Sequence, residues 1–103
     1  MRFETKGVYM TSGVQAKVDS GEMNIKDVTS CLEKHFFNRG EECKDDNELN
    51  EEAIKYKSGR VMSSFNDVGG HKLWIITEGF HLANDPVYGK EYPMTTILFP
   101  DEY

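Results

Sequence analysis

The segment HKLWIITE (71–78) restricts the possible folds of this chain more than any other stretch. In an extended strand successive side chains point to opposite sides, so Leu73, Ile75 and Thr77 share one face and Trp74, Ile76 and Glu78 the other. Apolar groups on both faces call for a central strand, covered on one side by helices and at least partly on the other by a loop or a partner. Upstream lies RVMSSF, joined to this segment by NDVGG, whose aspartate and paired glycines suit the positive φ angles of a hairpin turn. The closing MTTILFPDEY repeats the alternation, with Thr95, Ile97 and Phe99 opposite Thr96 and Leu98. Pro100 cannot donate a ladder hydrogen bond and marks the end of that strand, after which Asp101 and Glu102 are expected to stay in water.

The first half of the chain changes period. FETKGVYM (3–10) reads as a strand with Gly7 as a bulge or a point of close approach. Thr11 and Ser12 both offer N-caps, and Ser12 with Gln15 fits a capping box for a short helix carrying Val14 and Val18. From Asn24 onward Ile25, Val28, Leu32 and Phe36 recur at helical spacing, with Cys31 and His35 alongside, and Asn38-Arg39-Gly40 supplies the stop. A further helix is predicted to begin after Asn47 or Asn50, to turn Leu49, Ala53 and Tyr56 toward the core with Ile54 beside them, and to end at Ser58-Gly59. These elements predict a single α+β domain over 1–103: a four-stranded, largely antiparallel sheet packed by two or three helices, in the order β-α-α(-α)-β-β-β.

Composition narrows the function classes. With 103 residues, 38% of them hydrophobic, the chain can support one core. No apolar run exceeds the four residues LWII, and MRFETKGVYM lacks the apolar stretch of a secretion signal, so a cytoplasmic protein without a membrane partner is expected. Cys31 and Cys43 are too few for a secreted disulfide scaffold and are read as reduced thiols. Eighteen acids against twelve bases give a net charge of -6, which opposes direct binding of nucleic acid; Lys55, Lys57 and Arg60 make only a small basic group.

Four groups of residues carry possible chemistry. Cys31, His35 and Cys43 lack the paired short spacings of structural zinc, so Cys31 reads as a small core residue and His35 as a core-edge one. His71, His81, Asp85 and Glu91 follow no spaced catalytic signature; no catalytic residue, metal ligand or cofactor is assigned. GEECKDDNELNEE (40–52) holds seven acids, Glu41, Glu42, Asp45, Asp46, Glu48, Glu51 and Glu52, offset only by Lys44. Such a run is commonly a solvated loop and helix start, and its functional reading is a docking surface for a basic partner. The fifteen-residue connection GFHLANDPVYGKEYP (79–93) far exceeds an ordinary hairpin link and carries Phe80, Leu82, Val87, Tyr88 and Tyr92. It either folds back over the sheet face that Trp74 occupies or contacts a partner.

YMTSGV, LWIITE and TTILFPDEY together resemble a family of short plasmid-related proteins, otherwise labelled uncharacterised, from plasmids, conjugative elements and phages of gut and related bacteria. The resemblance implies a mobile-element origin and a bacterial cytoplasm, and it transfers no functional residue. In that family a much shorter link joins the strands that residues 79–93 connect here. The expectation is therefore a small, acidic, non-enzymatic interaction module that binds a basic protein, such as a host restriction or CRISPR effector it inhibits. A small metal-binding protein or hydrolase, and a homodimeric structural subunit, stand as the alternatives.

Overall fold

The computed structural model describes residues 1–103. Its elements are β1 (Gly7–Met10), α1 (Ser12–Asp19), α2 (Ile25–Phe36), α3 (Lys44–Tyr56), β2 (Arg60–Val68), β3 (His71–Glu78) and β4 (Met94–Leu98), with 3-10 turns at Phe80–Leu82 and Pro100–Glu102. The strands form one mixed sheet in the order β1-β4-β3-β2: β2, β3 and β4 are antiparallel neighbours, and β1 runs parallel to β4. This is the α+β domain that the alternation of periods predicts.

Local chemistry accounts for most boundaries. The β2–β3 hairpin turns through Gly69 and Gly70, whose φ angles of 62° and 84° lie in the left-handed region that glycine tolerates best. The carboxylate of Asp67 accepts the Gly70 N–H at 2.9 Å and holds the turn. Asn24 caps α2 by accepting from the Lys26 N–H at 2.8 Å. For α1 the cap is Thr11, which accepts from Val14 N–H, rather than the Ser12–Gln15 box. The Thr11 hydroxyl donates in turn to the Glu102 carboxylate at 2.7 Å, and that carboxylate also accepts from the Phe99 N–H, so Glu102, exposed to water as expected, is also tied to the start of α1. At Gly7 an added Cβ would lie 2.9 Å from the Tyr9 hydroxyl, which is the close approach the lone strand glycine suggested.

One face of the sheet meets the helices. Leu73, Ile75 and Ile97 pack with Val14, Met23, Val28, Cys31, Phe65 and Val68, while Phe3, Phe36, Ala53, Val61 and Phe80 form a second cluster toward the other end. Full burial of each large aliphatic side chain contributes about 1.5 to 3 kcal/mol. α3 departs from expectation. It starts at Lys44, before Asn47 and Asn50, and turns Asn50 and Ala53 inward, leaving Leu49 and Tyr56 61% and 66% exposed. β1 is also shorter than residues 3–10, because Phe3 leaves the strand to pack against Phe36 and Phe80.

The long connection is split between core and surface, and the far face of the sheet is itself largely buried, with Ile76 and Leu98 only 3% and 5% exposed. Phe80 enters the helix-side cluster, while Val87 and Tyr88 point outward. Trp74 is instead met edge-on by Tyr103, with ring centroids 5.9 Å apart. YMTSGV, LWIITE and TTILFPDEY, the motifs behind the family resemblance, occupy the adjacent strands β1, β3 and β4 and the start of α1.

Candidate functional site

His35 lies at the centre of the domain with no solvent exposure, between the two apolar clusters. Its Nδ1 is 2.7 Å from the Ser63 hydroxyl and its Nε2 is 2.8 Å from that of Thr77. Thr77 and Thr95 are cross-strand partners with hydroxyls 2.7 Å apart, Thr95 donates to Thr5 at 2.8 Å, and Thr5 donates to the carbonyls of Gly7 and Pro93. Each hydroxyl has one proton, which fixes the order of donors. Thr95 spends its proton on Thr5, so Thr77 must donate to Thr95, and His35 must donate its Nε2 proton to Thr77. The Nδ1 lone pair is then left to accept from Ser63. The result is a one-way chain from Ser63 through His35, Thr77, Thr95 and Thr5 to backbone oxygen.

The Ser63–His35 pair has the spacing of a nucleophile and its base, yet both residues are fully buried and both imidazole nitrogens are engaged. Burial holds the imidazole neutral, pushing its pKa down to about 3. His35 is therefore a core histidine that satisfies inward-facing hydroxyls, not the core-edge residue its helical position suggested. Cys31 is buried and Cys43 exposed, and no three His, Cys, Asp or Glu residues are placed to hold a metal ion. Asp85 caps a local turn, accepting from the N–H groups of Val87 and Tyr88, which hold its carboxyl below the usual range.

Burial also raises the pKa of the Cys31 thiol, so the two cysteines should separate by reactivity. With a thiol reagent under native conditions, Cys43 is expected to label promptly and Cys31 only after unfolding. Rapid modification of two thiols per folded chain would contradict the placement of Cys31.

The acidic run divides into two parts. Glu41 and Glu42 belong to the sheet: Glu41 N–H donates to the Ser64 carbonyl at 2.7 Å, the Glu42 carboxylate accepts from Ser64 N–H at 3.2 Å, and the Glu41 carboxylate accepts from Asn66 N–H at 2.8 Å. Asn50 completes this edge, its amide donating to the Met62 carbonyl at 2.7 Å and accepting from the Met62 N–H at 2.9 Å. The outward backbone groups of edge strand β2 are thus occupied from Met62 to Asn66, which blocks pairing with another chain there. Glu51 is also engaged, accepting from both terminal nitrogens of Arg2 at 2.6 Å and from Asn38; the Arg2 bonds lead in lowering its pKa to about 2. Asp45, Asp46, Glu48 and Glu52 remain as the outward charges of α3, and none of them accepts a hydrogen bond from another side chain.

Those acids border an apolar feature. Leu49, Tyr56 and Met62 line an open groove of about 360 Å³ between α3 and β2, with Asp46 and Glu52 also on its walls and Arg60 at the β2 end. Leu49 and Tyr56 stand seven residues apart and hence on one side of the helix. The five large apolar and aromatic residues of the 79–93 connection are placed unevenly: Phe80 is buried, Leu82 and Tyr92 are half-buried, and Val87 and Tyr88 are exposed. Tyr92 lies against Gly79, whose φ of 82° and lack of a Cβ let the ring approach. The structure therefore brings Asp46 together with Leu49, Glu52 and Tyr56, residues that sequence reading had split between a charged run and a core. No helix is long and apolar enough to cross a membrane. No family model, curated protein or solved structure matches the chain.

Proposed function

We propose that this protein is a small, acidic, non-enzymatic interaction module that engages a basic partner through the outer face of α3. The observation that carries this reading is the groove itself: two large side chains, Leu49 and Tyr56, are more than half exposed on a helix whose free charges are mostly carboxylates. Apolar contact would supply affinity and the acids would supply steering and orientation toward a cationic surface. A net charge of -6 favours the basic cleft of a nucleic-acid enzyme over nucleic acid itself. With the resemblance to mobile-element proteins, this selects a host restriction or CRISPR effector as the partner and inhibition as the outcome.

The test is DNA cleavage by purified effectors with the protein present. Inhibition is expected for the natural chain and for Val87→Ala/Tyr88→Ala, and a loss of at least tenfold in potency for Asp46→Lys/Glu52→Lys. Equal inhibition by the charge-reversed variant would refute the assignment to α3. No inhibition across a panel of effectors would refute the partner class.

A further inference from the structure

We propose that the free edge of β1 is where two copies of this chain join, their β1 strands antiparallel about a two-fold axis at Tyr9, so that two four-stranded sheets become one continuous sheet. The rest of the chain treats the two edges of the sheet, β1 and β2, differently. Along β2 the outward backbone groups of Met62, Ser64 and Asn66 are taken up by Asn50, Glu42 and Glu41. Along β1 nothing of the kind occurs. The Thr11 N–H bonds the Ile97 carbonyl of β4, and backbone direction alternates along an extended strand. The backbone of Tyr9 therefore also faces β4, while Val8 and Met10 turn their N–H and C=O groups away from it. No turn, loop or cap of the chain bonds those groups, and Val8 and Tyr9 are 41% and 54% exposed. Neither proline nor a charged side chain interrupts the strand, GVYM, as the edges of natural sheets are commonly interrupted.

The form of this edge selects a second copy as the occupant. Its open groups stop at both ends: the Lys6 N–H turns back to the Pro93 carbonyl and the Thr11 N–H to that of Ile97, so Val8 and Met10 alone offer bonds. A longer foreign strand gains nothing from its extra length, whereas a second β1 uses every group. With the axis at Tyr9, Val8 of each copy faces Met10 of the other and exchanges a pair of N–H···O=C bonds with it. The two Tyr9 residues then form the central pair without hydrogen bonds, where opposed side chains lie closest. Every contact off the axis occurs twice, as an isologous interface requires. Charge agrees. Between Glu4 and Asp19 there is no acid, only Lys6 and Lys17, so two chains of net charge -6 approach here with little repulsion. The same register sets Lys6 opposite Ser12 of the second copy, beside the Thr11 hydroxyl that holds the Glu102 carboxylate, and so brings a cation to each of those carboxylates. On the helix side α1 packs against both β1 and β4. With paired strands about 4.8 Å apart, the two α1 helices come within about 10 Å, a distance at which helices pack. α3 lies against β2, at the opposite edge, so its groove stays open in both copies.

Sedimentation from micromolar to millimolar concentration, amide exchange and cross-linking test the assignment. The expected mass rises from 11.8 kDa toward twice that value, and the Val8 and Met10 amides, fast to exchange in dilute solution, become protected as it rises. Val8→Pro removes an outward N–H and no bond within the chain, which a sheet edge tolerates. It should remain folded by circular dichroism and self-associate at least tenfold more weakly, having lost one bond from each Val8–Met10 pair. Tyr9→Lys, which sets like charges face to face on the axis, should weaken association as much. In a Cys43→Ser background, Tyr9→Cys should form a disulfide-linked dimer under diamide much faster than Val8→Cys, because two residues at position 8 lie diagonally across the pair. A monomer at every concentration overturns the proposal. So does protection of Val8 and Met10 in the monomer, which would mean that another part of the chain covers this edge. A dimer indifferent to Val8→Pro and Tyr9→Lys, or one cross-linked no faster at position 9 than at position 8, overturns the stated arrangement.

Discussion

Replacing His35 with alanine is expected to destabilise the fold by about 3 to 5 kcal/mol, the largest effect of any single substitution considered, measured by urea unfolding at neutral pH. Two costs add. The substitution opens a cavity between the Phe3–Phe36–Phe80 cluster and the sheet, and where water has no access it leaves the Ser63 hydroxyl without an acceptor and Thr77 without its donor, with only the bond to Thr95 remaining. Removing the polar partners together should cost less, since apolar replacement of a whole network avoids orphaned hydroxyls. His35→Leu with Ser63→Ala and Thr77→Val is therefore expected to recover a substantial part of the loss.

The same residue predicts an acid limb. Above about pH 6.5 the imidazole is neutral in both folded and unfolded chains and has no effect on the equilibrium. Below that value the unfolded chain binds a proton that the folded chain refuses until about pH 3. Stability present above pH 6.5 is accordingly lost as pH falls toward 3, at roughly 1.4 kcal/mol per pH unit. Carboxylates such as Glu51 add their own loss only once they begin to protonate, well below pH 6, so the interval just beneath pH 6.5 isolates His35. The apolar triple variant should be flat in that interval. A natural chain equally flat there would show that His35 is accessible to protons in the folded state.

Much of this architecture was legible in the sequence because the strongest periodic signals coincided with turn chemistry. The Ile25–Phe36 helix combines regular apolar spacing with an asparagine cap, and the hairpin combines two alternating segments with a glycine pair. The polar chain at the core was partly signalled: Thr77 and Thr95 fall on the same faces as Leu73, Ile75 and Ile97, so inward hydroxyls needed a partner. What no spacing disclosed was that His35, on a helix far away in sequence, would reach between Ser63 and Thr77. The start of α3 was misplaced for a definite reason. Asparagine favours helix caps, but here the amides of Asn47 and Asn50 form tertiary bonds to Asn38 and Met62. The helix begins instead at Lys44, where Cys43 gives no side-chain cap and Asp45 and Asp46 favour the first turn electrostatically. That earlier start is accompanied by a polar Asn50 on the buried stripe, which leaves Leu49 and Tyr56 outside to line the groove.

Asn50→Leu should have the second largest effect, a loss of about 2 to 4 kcal/mol together with a new tendency to associate through β2. Leucine matches the volume of the buried side chain but makes none of its bonds. Met62 then loses partners for both its N–H and its carbonyl, and Asn38, itself buried, loses the donor to its side-chain oxygen, all around a position, Asn50, that is 3% exposed. Asn38 holds a left-handed conformation, with φ of 54°, at the end of α2, so the loss extends to the junction between α2 and α3. At the sheet edge, Met62 would present an unpaired donor and acceptor beside a Ser64 still held by Glu41 and Glu42. Glu41→Ala/Glu42→Ala in the same background would release the carboxylate bonds to Ser64 and Asn66 as well, and association should increase again. Hydrogen exchange provides the decisive reading. In the natural chain the amides of Met62, Ser64 and Asn66 should be protected even though β2 lies at the edge of the sheet; in Asn50→Leu, Met62 should lose that protection first. Rapid exchange at all three in the natural chain would mean that the acids of residues 41 and 42 do not guard this edge and are free, after all, to meet a partner.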